Sequence, residues 1–398
     1  MSSPAIAAAK ENEPLQALLT LDTTAASLPH KFAHYYSHGE ATRPPSGAKA
    51  YTAATLVGYV PLLIAGLFGP LPLATQTSTL HLPFLYDWNI AFMFLVSFPT
   101  LVALTVTDQH VLTTALRQVQ LDGILIVPAD AASSLASTWK HKFKFINIWA
   151  QSVGLVIGIV VAYFNFLVYT PKQVGFWMAS QGRLVPQGYV LLVSLCLFYA
   201  LLPVYVLRSL AVSLFLKDIV GHAHLHLLPF HPDRSGGLRP VGNLGIRNQY
   251  LLTVFGLNVV FLFAVTTHYL GRGGWSYAVA LAATAAYVTL GPWVFLGPLL
   301  PFRAGMIRTK SELMSEVAQR LRIELDRLRT KMTSGTITKE EEELIDRLRK
   351  LGAVIDELPV WPFDAGTLRK FVAAYIIPLV GTLGYPLAKI IFGNLIPR

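Results

Sequence analysis

Cysteine is almost missing from this chain, because Cys196 is the only one in 398 residues. A single thiol excludes intramolecular disulfides, cysteine-based zinc sites and covalently attached haem. The first 50 residues also lack an early apolar stretch of the kind that forms the core of a cleavable signal peptide. We therefore expect the first long apolar run to act as an uncleaved membrane anchor.

Charged residues are scarce as well, at 14% of the chain against 53% hydrophobic residues. This composition is too apolar for a soluble domain of this length. The apolar residues form seven runs of about 20 residues, the length that a helix needs to cross a hydrocarbon core about 30 Å thick. The runs are 53–73, 88–107, 148–169, 188–208, 249–270, 275–300 and 371–392. The sequence therefore predicts an all-α, polytopic membrane protein with seven transmembrane helices.

The gaps between these runs alternate between rich and poor in Lys and Arg. Four basic residues precede the first run, none lies in the next gap and four lie in the one after, and this alternation continues along the chain. Because basic residues are retained on the cytoplasmic side, we predict a cytoplasmic N-terminus and an outer C-terminus in a bacterial plasma membrane. The predicted cytoplasmic parts are residues 1–50, the loops 108–147 and 217–248, and the segment 301–370; residues 371–398 hold the seventh span and a short outer tail.

The net charge of +10 raises the question of a nucleic-acid partner. No basic stripe with interleaved aromatic residues is present in a soluble unit of the sequence, so we expect no nucleic acid. The same charge is explained by membrane orientation and by contact with anionic lipid at the cytoplasmic face of the bilayer.

The segment between the sixth and seventh runs predicts two helices, over 310–332 and 339–357. Thr309 with Glu312 matches a capping box at the start of the first helix. Each helix carries an apolar stripe, which favours an antiparallel hairpin with coiled-coil-like packing. The stripes are Leu313, Val317, Leu321, Leu325 and Leu328 on the first helix, and Leu344, Leu348, Leu351 and Ile355 on the second. The stripes close on each other, or alternatively on a second copy of the chain or a protein partner.

Histidine is concentrated on the predicted cytoplasmic side. Three imidazoles alternate with small or apolar residues, which places them on one face of an extended chain, and a further histidine and a carboxylate follow. Neutral imidazole with a carboxylate can bind a divalent transition metal. The candidate metal ligands are His222, His224, His226, His231 and Asp233; a second group, His30, His34 and His38, has helical spacing. The alternative is that these residues are surface histidines without a metal.

A glycine-rich turn follows the histidines. Paired glycines can present backbone N–H groups to a phosphate or carboxylate, with arginine side chains nearby. The candidate anion-binding residues are Arg234, Gly236, Gly237 and Arg239. A structural turn that leads back into the fifth span is the alternative interpretation, because Pro and paired Gly are typical of turns.

Two short segments carry a resemblance. The residues His231-Pro232-Asp233-x-x-Gly236-Gly237-Leu238, and the residues Leu358 to Asp364 with the sequence LPVWPFD, resemble segments of uncharacterised bacterial multi-pass membrane proteins. The resemblance covers about 15 residues and implies no activity. It implies that these two membrane-proximal segments act together.

Ionisable residues near the middle of the apolar runs are almost absent, which argues against a proton relay or a sodium-coupled site. Helix-breaking residues are frequent instead, above all in the sixth and seventh runs, and broken helices are typical of solute paths. The candidate pore-lining residues are Asn258, Thr284, Thr289, Gly291, Pro292, Gly381 and Gly384.

The sequence thus predicts an integral membrane protein that acts as a passive ion or small-solute channel, either as a single chain or as a homo-oligomer. Two alternatives stay open. One is a membrane scaffold or signalling subunit that recruits a partner through residues 309–357. The other is a metal-dependent membrane enzyme at the cytoplasmic face.

Overall fold

The computed structural model describes residues 46–77, 80, 82–169, 176–180, 182–228, 231–233, 235–267, 275–332 and 339–363, with Leu18, Leu21, Thr23 and positions 366, 368, 369, 371–373, 375, 376, 378 and 380. This part of the chain is predominantly helical. The helices are α1 (Gly47–Gly58), α2 (Val60–Leu67), α3 (Trp88–Phe92), α4 (Phe98–Leu121), α5 (Ala129–Tyr169), α6 (Pro186–His222), α7 (Arg239–Val265), α8 (Trp275–Leu296), α9 (Leu300–Met332) and α10 (Lys339–Asp356). Four short strands are β1 (Leu125–Ile126), β2 (Ala179–Ser180), β3 (Arg183–Leu184) and β4 (His224–Leu225).

Six helical segments in the described residues are long and apolar enough to cross a membrane. They are Gly47–Leu67, Trp88–Leu121, Ala129–Leu167, Pro186–His222, Arg239–Val265 and Tyr277–Leu296. The all-α class and the integral membrane character are therefore confirmed. The seventh predicted span, 371–392, lies mostly outside the described residues, so the count of seven stays a prediction.

Several helices are much longer than the apolar runs that predicted them. α5 has 41 residues and α6 has 37, which correspond to about 60 Å and 55 Å at the rise of an α-helix. A hydrocarbon core is only about 30 Å thick, so both helices extend well beyond it. Most of the residues predicted as loops 108–147 and 217–248 belong to these extensions and to the ends of α4 and α7.

The extensions and α9 meet at one end of the bundle, which we call the hairpin end. Here β1 pairs antiparallel with β4, and the His226 N–H donates to the Ile124 carbonyl at 2.8 Å. The Thr309 hydroxyl of α9 donates to the carbonyl of Leu225 at 3.4 Å. The sequence predicts this end to be cytoplasmic.

α5 and α6 pack antiparallel through the small residues of α5. A Cβ added at Gly154 would lie 2.1 Å from the Ala200 carbonyl oxygen, and one added at Gly158 would lie 2.4 Å from that of Cys196. Only glycine permits this approach, so the two longest helices form a close pair in the bundle.

α7 and α8 pack antiparallel in one continuous register. The Asn248 side chain donates to the Val294 carbonyl at 2.7 Å at the hairpin end. Farther along, a Cβ added at Gly256 would lie 2.7 Å from the Tyr287 hydroxyl, and the rings of Phe263 and Tyr277 have centroids 5.5 Å apart. These contacts place Asn258 of α7 level with Thr284 of α8.

α9 begins at Leu300, ten residues before the predicted start at residue 310. Thr309 is therefore inside the helix, and the capping box predicted for it is wrong. Lys310 pairs with Asp356 at 3.2 Å between Nζ and Oδ1, so α9 and α10 lie side by side. The hairpin topology stays a prediction, because the connection 333–338 lies outside the described residues.

The predicted apolar stripe of α10 coincides only partly with the residues that the structure buries. Ile345 and Ile355 are buried, whereas Leu344 and Leu351 are 41% and 48% exposed. On α9, Val317 is buried and Leu325 is 44% exposed. The packed face of α10 thus keeps Ile355 of the predicted stripe and adds Ile345, while several predicted leucines remain on the surface.

Candidate functional site

Two arginines and one aspartate from three helices meet inside the bundle. Arg208 Nε of α6 lies 3.1 Å from Asp108 Oδ2 of α4, and Arg247 Nη1 of α7 lies 3.2 Å from Asp108 Oδ1. The side chain of Arg208 is 2% exposed and that of Arg247 10%. Arg208 is thus buried and is bridged by the Asp108 carboxylate to Arg247.

The depth of this group follows from the length of its helices. At a rise of about 1.5 Å per residue, Asp108 lies about 30 Å from Trp88 along the helical segment that contains both. Arg208 lies about 33 Å from Pro186 along the axis of α6. Both distances are close to the thickness of a hydrocarbon core. If Trp88 and Pro186 mark one side of the hydrocarbon core, the charges lie near its other side, at the hairpin end.

Further polar side chains extend this group into a network. Arg247 also donates to the Thr107 hydroxyl at 2.7 Å and to the Leu104 carbonyl. The neighbouring residue Asn248 accepts from the Tyr205 hydroxyl at 2.6 Å and donates to the Ser209 hydroxyl at 3.2 Å. With the Asn248 bond to α8, the network connects α4, α6, α7 and α8.

Part of the N-terminal segment is attached to the same network. The Thr23 hydroxyl accepts from Arg208 Nη2 at 3.0 Å and donates to Gln109 Oε1 at 3.2 Å. Asn147 of α5 donates to the Thr23 carbonyl at 2.9 Å, and Gln109 donates to the Leu21 carbonyl at 3.2 Å. Leu18, Leu21 and Thr23 are each at most 5% exposed.

Sequence reasoning missed this network, although a signal for it was present. Asp108, Arg208 and Arg247 each lie at the same predicted boundary of a different apolar run. Opposite charges at one depth of neighbouring helices are expected to pair, because an isolated charge there is costly.

A second group of polar atoms runs along α7 and α8. Three buried side-chain atoms on α7, on α8 and directly after α7 have no hydrogen-bond partner in the described residues: Asn258 Nδ2, the Tyr287 hydroxyl and Thr266 Oγ1. Such atoms also occur elsewhere in the bundle, for example at Asn89, Ser97, Gln187 and Arg303. Asn248 and Thr266 are about 27 Å apart along the helix axis, nearly a hydrocarbon thickness. The three atoms thus lie between the charge network and the opposite end of the bundle.

The predicted pore-lining residues do not share one surface. Asn258 and Thr284 are buried, at 5% and 4% exposure. Asn258 lies about 140° or more around α7 from Gly256 and Phe263, which contact α8, so it does not face that helix. Thr289 is exposed on the outside of α8, and its hydroxyl donates to the Ala285 carbonyl. Gly291 packs closely against Tyr375, since an added Cβ would lie 2.8 Å from that ring, and Pro292 is half-buried. Gly381 and Gly384 lie outside the described residues.

The glycine-rich turn is organised around its own carboxylate. Asp233 Oδ1 accepts from the Ser235 and Gly237 N–H groups at 2.8 and 3.0 Å, and Oδ2 accepts from the Arg239 N–H at 3.1 Å. Gly236 and Gly237 have φ values of 64° and 89°, which favour glycine. Burial alone would raise the pKa of Asp233, but these donors and His231 together lower it.

This arrangement bears on the predicted anion site. The Gly237 and Arg239 N–H groups are already bonded to Asp233, so the carboxylate takes the place of an external anion at these two donors. The turn leads directly into α7, as the structural interpretation of the sequence expected. Arg234 lies outside the described residues, and the Arg239 side chain is exposed.

A cavity of about 290 Å³ opens beside this turn, between the end of α4 and the start of α7. Its lining includes Gln118, Asp122, His231, Arg239 and Asn243. Residues 231–233 and 235–238 meet residues 358–363 behind it, as the sequence analysis expected of these two segments. A Cβ added at Gly242, four residues past the first segment, would lie 2.1 Å from the Pro362 carbonyl oxygen, and one added at Gly236 would lie 3.7 Å from Pro359.

The candidate metal ligands are spread over three structural elements. His222 ends α6, and its Nδ1 lies 2.8 Å from the Asp218 carbonyl oxygen, whereas His224 lies in β4. His231 Nδ1 lies 2.8 Å from Asp233 Oδ1, and His226 is exposed. Within the described residues, no group of three or more His, Cys, Asp or Glu side chains could hold a metal ion. His30, His34 and His38 are outside the described part of the chain.

At the opposite end of the bundle, a buried carboxylate fixes the start of the second apolar segment. Asp87 Oδ1 accepts from the Ile90 N–H and Oδ2 from the Trp177 indole N–H, both at 3.1 Å. Burial raises the pKa of the Asp87 carboxyl, although these hydrogen bonds oppose the shift.

No protein-family model, curated protein or solved structure matches this chain. The functional interpretation therefore depends on the residues and their geometry alone.

Proposed function

We propose that the protein is a passive channel for ions or small solutes, with its path along α7 and α8. The observation that carries the proposal is a set of buried polar atoms without protein partners, Asn258 Nδ2, Thr266 Oγ1 and the Tyr287 hydroxyl. Buried polar groups are costly unless they are hydrogen-bonded, and water is the usual partner where protein supplies none. Water beside these atoms would form a polar path through the apolar bundle.

The charge network supports the same function. Ionisable side chains inside a membrane protein are expensive and commonly mark ion or solute pathways. Asp108, Arg208 and Arg247 lie at the hairpin end of the proposed path, next to Asn248 on α7. Their position makes them the charged entrance of the path from the predicted cytoplasmic side.

Single-channel recording in planar bilayers tests the proposal. We expect discrete unitary currents from the purified protein, and we expect the Asn258→Leu variant to lose them because an apolar side chain removes the polar group at the middle of the path. Thr289→Val is the matched control, since its hydroxyl bonds only its own helix on the outer face. Absence of current from the unmodified protein over a wide range of voltages and pH would contradict the channel.

A second function is favoured by the surface of α9 and α10. Leu325, Leu344 and Leu351 are each more than 40% exposed, which is unusual for predicted stripe positions and favours contact with a partner or a second copy. We propose that this face recruits another protein chain. Combined replacement of the three leucines by serine should lower the oligomer mass measured by light scattering in detergent; an unchanged mass together with unchanged recovery of bound proteins would reject this second function.

A further inference from the structure

The part of α5 that crosses the membrane leaves one broad side uncovered. The side chains of Leu155, Val156 and Ile159 are each more than half exposed. From Trp149 to Leu167 the helix rises about 27 Å, nearly the thickness of a hydrocarbon core. An apolar surface of this length on a membrane helix is in contact with the acyl chains of lipids.

Two aromatic side chains lie at the hairpin end of this apolar surface. Phe145 and Trp149 are 63% and 57% exposed, and their ring centroids are 6.4 Å apart. An exposed indole prefers the level of the lipid headgroups, because its N–H stays hydrated while its ring is apolar. The boundary of the hydrocarbon core on α5 therefore lies near Trp149.

The charge network lies at the same level. Asn147, two residues before Trp149, donates to the Thr23 carbonyl, and Arg208 Nη2 of α6 donates to the Thr23 hydroxyl at 3.0 Å. Arg208 and Asn147 therefore lie side by side across the α5–α6 pair. The aromatic pair on the outside of α5 and the buried charges inside the bundle are separate observations that indicate one boundary.

Three lysines of α5 lie just beyond this boundary. Lys140, Lys142 and Lys144, which we call the lysine band, are all exposed. At about 1.5 Å per residue, they lie about 8 to 14 Å beyond Trp149 along the helix axis. Headgroups occupy about 5 to 8 Å outside the hydrocarbon core, and the long stem of a lysine reaches back toward them. The ammonium groups are thus close to the level of the lipid phosphates.

One lysine of the band is positioned by an aromatic ring. Lys142 Nζ lies 4.6 Å from the centroid of the Trp139 ring, a cation–π distance. That ring is itself fixed, because Trp139 is buried and its N–H donates to Asp218 of α6 at 3.0 Å. The band therefore includes one ammonium group with a defined place at the surface.

The lysine band has no acidic residues near it on its own helix. The sequence contains no Asp or Glu from position 131 to 169, so no i,i+4 ion pair within α5 can neutralise these lysines. Basic residues on the hairpin helices differ, since Arg320 pairs with Glu316 at 2.8 Å and Arg347 with Glu343 at 3.1 Å. The positive charge of the band is thus available to an external anion.

We propose that the lysine band binds the headgroup phosphates of anionic phospholipids in the leaflet at the hairpin end, while their acyl chains lie on the apolar surface of α5. A ligand that fits this face combines negative charge with long apolar chains, because the cations and the apolar side chains follow one another on the exposed side of one helix. Anionic phospholipid is the partner in a membrane that has both properties. The proposal concerns lipid binding and does not depend on the channel function.

Fluorescence quenching of Trp149 tests the proposal in the full protein reconstituted in bilayers. The Trp149 signal is the difference between a protein and the same protein with Trp149→Phe. At equal mole fraction, phosphatidylglycerol with brominated acyl chains should quench this signal with at least about threefold higher relative affinity than brominated phosphatidylcholine, because lysines near a membrane attract anionic headgroups. Equal quenching by the two lipids would overturn the proposal.

Variants of the lysine band show whether it is the binding site. The combined change Lys140→Gln, Lys142→Gln and Lys144→Gln should remove the preference for the anionic lipid. Arginine at the same three positions should retain the preference, because a guanidinium also binds phosphate. A preference that survives in the glutamine variant would place the anionic lipid elsewhere and would overturn the assignment.

A matched control removes the same number of positive charges from the exposed surface of the hairpin helices. It combines Arg320→Gln, Arg347→Gln and Lys350→Gln, whose side chains are each more than 60% exposed. This variant should keep the preference of Trp149 for the anionic lipid. An equal loss in this control would show an effect of net charge and would contradict a site on α5.

Discussion

The polar side chains in the two halves of α7 differ in whether they have hydrogen-bond partners from the protein. Near the hairpin end, Arg247 and Asn248 are surrounded by partners from α4, α6 and α8. Farther along the same helix, Asn258 Nδ2 and Thr266 Oγ1 are buried without a partner in the described residues. The polar side chains of the first half join helices, whereas these two buried atoms beyond it have no protein partner. We interpret the first half as a contact that holds the helices of the bundle together. We interpret the second half as a place where water binds.

The largest expected change in stability comes from a substitution that breaks the charge network at the hairpin end of α7. Asp108→Asn leaves Arg208 and Arg247 without the carboxylate that bridges them, so the free energy of unfolding should fall by about 3–5 kcal/mol. The measurement is unfolding of the purified protein by a denaturing detergent. Asp122→Asn, at the exposed end of α4, is the control and should change stability by less than about 0.5 kcal/mol. An equal effect of the two substitutions would mean that the network does not stabilise the bundle.

A substitution in the second half of α7 should not lower the free energy of unfolding. Asn258→Leu replaces a buried amide nitrogen that has no protein partner by an apolar side chain of similar size. Stability should stay constant or rise by about 1 kcal/mol, because the cost of burying that group is removed. The same unfolding assay measures it. A loss of several kcal/mol would show that Asn258 has a structural partner and that the contrast between the two halves is wrong.

A smaller effect is expected at the turn that precedes α7. The Asp233 carboxylate is hydrogen-bonded, as the charge network is, but it lies at the edge of the bundle. Asp233→Ala should lower the free energy of unfolding by about 1 kcal/mol, as the loss of a helix cap does. Asp233→Asn keeps an acceptor and should cost less.

The charge of Asp233 also predicts a pH dependence. Its pKa is lowered in the folded protein, so its contribution to stability is complete above the ordinary aspartate pKa of about 4 and is lost as the pH falls through the lowered folded value. The unmodified protein should therefore lose stability relative to Asp233→Asn below about pH 4. A constant difference from pH 7 to pH 3 would contradict this assignment.

Seven apolar runs predicted seven membrane segments, and six of these runs lie in helices that are long and apolar enough to span, because a run of about 20 apolar residues is a strong local signal. The same criterion could not find the extensions of α5 and α6, since these parts alternate polar and apolar residues as water-facing helices do. The partners of Arg208 could not be predicted either. Asp108 and Arg247 are distant from it in sequence, and only the packing of three helices brings them together.

The spacing of the predicted pore-lining residues along the helix could have improved that prediction. Thr284 and Thr289 are five residues apart, which places them about 140° apart around a helix, so both cannot line one path. The structure buries Thr284 and exposes Thr289 accordingly. At the glycine-rich turn, the sequence left an anion site and a structural turn open, and Asp233 shows that the acceptor for two of the N–H groups is inside the turn itself.

Water access to the buried polar positions of α7 and α8 is the most direct test of the proposed path. In the Cys196→Ser background, Asn258→Cys, Thr284→Cys and Thr289→Cys would be exposed to a small charged methanethiosulfonate during bilayer recording. A hydrated path predicts that the thiols at 258 and 284 react and block the current, while the thiol at 289 does not react. Reaction at none of the three positions in a conducting protein would show that positions 258 and 284 are dry and that the path lies elsewhere.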